Sequence, residues 1–171
     1  MYFILKRHQI KRVLRLGFLI YLLLIGWFLF ISVDSIDRSS YFQKREVHII
    51  PFAATYTAFV NLNNDTYDIS ENERFHYHLL VVRNIVGNVI LFLPWGFLIP
   101  SLFVRCRSLW KVSLLTLFIC VLIESIQYIF ILGVADVDDV IYNLGGAIMG
   151  FYLYQAVKHR FAKHLEPGAL K

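Results

Sequence analysis

Four long apolar blocks, separated by polar connections, set the pattern of this chain. The first, Leu16 to Val33, reads LGFLIYLLLIGWFLFISV; the second runs from Asn84 to Val104, the third from Leu109 to Leu132, and the fourth, the least apolar, from Val137 to Val157. A helix needs roughly 20 mostly apolar residues to cross about 30 Å of hydrocarbon. The pattern therefore predicts an all-α membrane protein, with four transmembrane helices in one bundle and a single integral membrane domain over residues 1–171. The first block follows a basic run, KRHQIKRVLR, but is longer than the core of a cleaved signal peptide and lacks a small-residue cleavage site. It reads as an uncleaved anchor.

The connections fix an orientation. Lys6, Arg7, Lys11, Arg12 and Arg15 precede the first block; Arg105, Arg107 and Lys111 join the second to the third; Lys158, Arg160 and Lys163 follow the fourth. With four spans these clusters fall on one side, which the distribution of Lys and Arg marks as cytoplasmic, so both termini are expected there. The other side is acidic. Asp34 to Arg83 holds seven acidic residues against five basic ones, and Gly133 to Asp139 holds three aspartates and no Lys or Arg. The long outer loop between helices 1 and 2 is itself divided. REVHIIPFAATYTAFV is apolar enough to lie at the interface or tuck against the bundle, whereas NLNNDTYDISENE reads as solvated.

Composition agrees with the pattern: 58% of the 171 residues are hydrophobic and 17% are charged. A net charge of +5 raises the question of nucleic acid, but three short basic clusters beside apolar runs fit anionic headgroups of membrane lipids instead. Cys106 and Cys120 form no CxxC and read as unpaired. GxSxG, Walker and HExxH motifs are absent. No cofactor or metal site is expected; the HYH at His76 to His78 places two imidazoles on one side of an extended segment, without a second ligand pair. Asn64 begins a glycosylation sequon by pattern alone.

Ionisable and amide side chains inside a span are costly and mark candidate sites. Glu124, Gln127 and Tyr128 share a helical face in the third block, and Asn84 and Asn88 do so in the second. In the fourth, Asp136, Asp139, Asn143, Gly146 and Gly150 fall within about 80° of one another, with Asp138 off the stripe. Counting inward from the outer ends, Asn88 and Asn143 lie about 6 Å down, Gln127 about 8 Å and Glu124 about 12 Å. Three helices thus bring polar groups to the outer half of the bilayer, and one outward-facing pocket is expected from Asn88, Glu124, Gln127, Asp136, Asp139 and Asn143. Arg83 is the candidate counter-ion. Each residue also has a plainer reading: Asp136 or Asp138 as an N-cap, the asparagines as interhelical glue, and Glu124 as protonated and structural. Pro94 and Pro100 predict a kink in the second helix. GAIMG is a small-xxx-small motif that offers a close-packing face to a partner helix at Gly146 and Gly150.

REVHIIPF, NIVGNVILFLPWGFLIP, IESIQ and DVDDVIYNLGGAIMG, in this order and spacing, resemble the VanZ-like family of bacterial membrane proteins. The resemblance covers Arg45 to Tyr152 and matches Pro51, Asn88, Pro94, Glu124, Gln127, Asp136, Asp139, Asn143 and Gly146 to the family pattern. His48 stands where the family often has Asn, and Val134 lies near a position often held by Arg. The resemblance implies a multi-pass protein of the bacterial cell membrane, associated with resistance to teicoplanin, an antibiotic with a lipid tail. Three functions stay open: a non-enzymatic protein that binds an amphiphile or a lipid-linked cell-wall precursor at the outer leaflet; an enzyme acting on a lipid-linked substrate through Glu124 or Asp139; and a structural bundle that docks onto a partner membrane protein. The missing nucleophile and base favour the first.

Overall fold

The computed structural model describes residues 2–30, 47–53, 55–56, 59–60, 71–130 and 135–165. Four long helices appear among them: α1 (Tyr2–Phe30), α2 (Glu71–Leu102), α3 (Leu109–Phe130) and α4 (Val137–Leu165). Two helical stretches, Val81–Leu102 and Leu109–Phe130, are long and apolar enough to cross a membrane. Residues 31–33 and 131–132 of the expected first and third spans lie outside the described residues, as do Asn64, Val134 and most of the outer loop.

Two helices start before their apolar blocks. No Gly or Pro interrupts Tyr2 to Leu16, so the basic run and the apolar block form one helix. The helix α2 likewise begins at Glu71 rather than Asn84, since ENERFHYH holds no breaker and its glutamates suit the positive end of the helix dipole. HYH therefore lies within a helix rather than in the extended segment expected. The helix continues through Pro94 and Pro100. At the other end of the chain α4 runs on to Leu165, past the expected end at Val157.

The helix α1 attaches to α2 along one narrow face. Tyr21 and Ile25 are buried, Phe18 packs beside them, and the intervening Leu19, Leu23 and Trp27 are exposed. The Tyr21 hydroxyl donates to the Leu91 carbonyl at 2.7 Å, and the Phe18 ring lies 6.1 Å from that of Trp95. On α3, Val112, Thr116 and Cys120 recur every fourth residue and are buried. The Thr116 hydroxyl accepts the Trp95 indole N–H at 3.2 Å and donates to the Val112 carbonyl at 2.8 Å, so both polar side chains are satisfied in the core.

The closest pairing joins α2 to α4. A Cβ added at Gly146 would collide with the Val89 backbone, one at Gly150 with Leu93, and one at Gly96 with Ala147. The partner helix for the small-xxx-small face is therefore α2 of the same chain. Tyr154 is buried in this seam with its ring 6.4 Å from Phe97.

The all-helical expectation needs one amendment. Val47–His48 (β1) and Ala135–Asp136 (β2) pair in parallel, Val47 opposite Ala135 and His48 opposite Asp136. This pairing ties the apolar segment after Arg45 to the start of α4.

Candidate functional site

The site is assembled around the first turn of α4. Asp136 precedes the helix and caps it: its Oδ1 accepts the Asp138 N–H at 2.8 Å. Its own N–H donates to Glu124 Oε2 on α3 at 3.1 Å, and its Oδ2 faces His48 Nδ1 at 3.3 Å. One residue thus joins α3, α4 and β1. Asp139 turns to α2, where the Asn88 amide donates to its Oδ1 at 2.6 Å and also reaches Asn84 Oδ1 at 3.4 Å. Glu124 and Asp139 lie within electrostatic range of each other.

Asp138, which the helical stripe left out, is the most buried of the three aspartates. Its Oδ1 accepts the Phe52 N–H at 2.6 Å and its Oδ2 the Thr55 hydroxyl at 3.0 Å, and Thr55 also lies 3.0 Å from the Tyr142 hydroxyl. Ile50 to Ala53 form a turn closed by the Ala53 N–H on the Ile50 carbonyl at 3.2 Å. Pro51 occupies its second position and Phe52, at φ 61°, its third, where glycine is usual. A side chain in that left-handed conformation costs about 1–3 kcal/mol unless its surroundings hold it. Asp138 holds it by taking the N–H. Nothing local in the sequence points to this contact, because 86 residues separate donor and acceptor.

The expected site residues therefore divide. Asn88, Glu124, Asp136 and Asp139 are brought together from three helices. Asn143 is buried one turn further along α4, its side chain against the Cys120 sulfur and its Oδ1 without a hydrogen-bond partner among the described residues. Gln127 is half-buried and stands apart from the cluster. Arg83 does not serve as the counter-ion: it is exposed and lines a separate apolar hollow on α2 with Val82 and Val86. The cation is replaced by amide, hydroxyl and backbone N–H donors, which satisfy carboxylate oxygens without a second charge. Among the described residues no three His, Cys, Asp or Glu side chains converge as metal ligands.

Beside this cluster lies a groove of about 540 Å³. One wall is α3, through Val121, Ser125 and Ile129; the other is β1 and the start of α4, through Ile49, Val137 and Val140. Glu124, Asp136 and His48 form its polar end. A groove lined mainly by apolar side chains, with two carboxylates and an imidazole among them, suits an amphipathic molecule better than a polar metabolite.

The fold and site define a helical protein with membrane-spanning character and a carboxylate cluster at one end of its bundle. The VanZ/LLP1 family model matches residues 18–158, and the chain belongs to that family, whose proteins are membrane-associated. It is also similar to Protein VanZ of Enterococcus faecium, at 36% identity over 85 residues, covering 49% of this chain and 52% of the relative. The chain thus spans about half the length of that relative. No solved structure gives a significant match.

Proposed function

We propose that this chain is a multi-pass protein of the bacterial cell membrane that binds an amphiphile, either an antibiotic's lipid tail or a lipid-linked wall precursor, and so contributes to protection against teicoplanin-type lipoglycopeptides. In this reading all four helices span the bilayer, both termini are cytoplasmic, and the carboxylate cluster faces outward at the depth of the outer leaflet. The Lys and Arg clusters at both ends and in the connection after α2 support that orientation. The observation that carries the binding role is the mainly apolar groove of about 540 Å³ that Glu124 helps to line.

The test is to close the groove. Ser125 is exposed on its wall, so Ser125→Trp fills the trough without entering the helix seam. Cells producing this variant, or Glu124→Ala, at normal membrane abundance are expected to lose lipoglycopeptide protection. Full protection from both variants refutes the site. A second reading, an enzyme acting on a lipid-linked substrate, draws on the Glu124 carboxylate standing in an apolar surround as a candidate general base. Turnover of labelled wall lipids by the purified chain, lost in Glu124→Gln, would establish it; an inert preparation excludes it.

A further inference from the structure

We propose that the groove selects an amphiphile with an ammonium head and discriminates against phosphate-headed lipids. This rests on the reading of the groove as an amphiphile site and adds the charge of the head. The walls, from Val121 and Ile129 on α3 to Ile49, Val137 and Val140 opposite, fit an alkyl chain and carry no charge. The polar end is acidic. Glu124 and Asp136 line it, and among the described residues no Lys or Arg does.

A helix N-terminus would ordinarily favour an anion through its free N–H groups. Here the chain's own carboxylates have taken that role: Glu124 accepts the Asp136 N–H and Asp136 accepts the Asp138 N–H. An entering phosphate would meet Glu124 and Asp136. Of the two Glu124 oxygens, Oε2 is engaged by Asp136, while Oε1 has no hydrogen-bond partner among the described residues. An ammonium placed there completes an ion pair in a setting where water screens charge weakly. His48, at the rim of the same end, is the one basic side chain in reach among the described residues, and Asp136 already occupies it.

The experiment uses the full chain in phosphatidylcholine nanodiscs and three photo-crosslinking probes. The probes share one diazirine-bearing acyl chain and differ in the head: primary ammonium, phosphate or hydroxyl. Labelling is read by mass spectrometry on residues 121–129. The ammonium probe is expected to exceed the phosphate probe by about tenfold, the ratio set by a modest charge interaction. Glu124→Gln keeps an oxygen for the Asp136 N–H but removes the charge, so it should bring the ratio close to one. His48→Arg adds a cation at the rim and should lower the ratio as well. Equal labelling by ammonium and phosphate probes, or a phosphate preference, overturns the charge inference and leaves the groove as an amphiphile site. Absence of labelling at 121–129 by every probe overturns the groove reading and this inference together.

Discussion

The face of α4 turned to α2 and the face turned to α3 are built from opposite materials. Toward α2, Gly146 and Gly150 remove side chains until backbone meets backbone, and Ala147, Phe151 and Tyr154 fill in around that line. Toward α3, a groove opens between that helix, the β1 segment and the start of α4, and Glu124 reaches across to accept the Asp136 N–H. The first contact gains its strength chiefly from dispersion between close surfaces, with the Asn88 to Asp139 hydrogen bond at its outer end, whereas the second carries the hydrogen bond from the Asp136 N–H to Glu124. A seam of the first kind tolerates little change, whereas one of the second kind can exchange partners. The groove lies where exchange is affordable.

This contrast breaks most readily at the seam. Gly146→Leu forces a branched side chain into the Val89 backbone and is expected to destabilise the chain by about 3 kcal/mol or more, with loss of the folded species in detergent thermal melts. Asp138→Ala is next. It leaves the Phe52 N–H and the Thr55 hydroxyl without their acceptor, an expected loss of about 2 kcal/mol, and it should speed hydrogen exchange over residues 47–56 while the α2 and α4 amides keep their protection. Exchange that rises equally everywhere would show that the β1 segment is not an independent clasp. Thr116→Val removes the acceptor of the Trp95 indole and should cost about 1 kcal/mol, with a shift in tryptophan fluorescence. Glu124→Gln is the smallest expected change, below about 1 kcal/mol, because the amide oxygen still accepts from Asp136. If Glu124→Gln destabilised the chain as much as Gly146→Leu, the division between a structural seam and an exchangeable one would fail.

Much of the architecture was legible in the order of residues. Apolar block length marked residues 84–104 and 109–132, where the apolar helical stretches Val81–Leu102 and Leu109–Phe130 lie, and helical periodicity marked the stripe of which Asp139, Gly146 and Gly150 face α2. Counting rise per residue placed Asn88 level with Asn143, but the residue that Asn88 meets is Asp139, one turn nearer the start of α4. Periodicity failed where the chain is not yet a helix. Asp136 lies outside α4 as its cap, so its side chain turns to the Asp138 N–H and His48, and its backbone N–H to Glu124, rather than along the stripe. The same rule set Asp138 aside, although it is the anchor of the Pro51 turn. Arg83 looked like a counter-ion by position, but a helix face, not nearness in sequence, decides what an arginine reaches.

The sequence by itself determined which segments are apolar enough to leave water, where the acidic residues concentrate, and which face of α4 is small enough to admit another helix. These are properties of single residues and fixed helical periods, so they survive without knowledge of partners. Tertiary structure alone decided that the admitted helix is α2, that Asp138 binds a turn 86 residues away, and that α3, the β1 segment and the start of α4 together line a groove. Such choices depend on how surfaces from distant segments fit, and no local period encodes that fit.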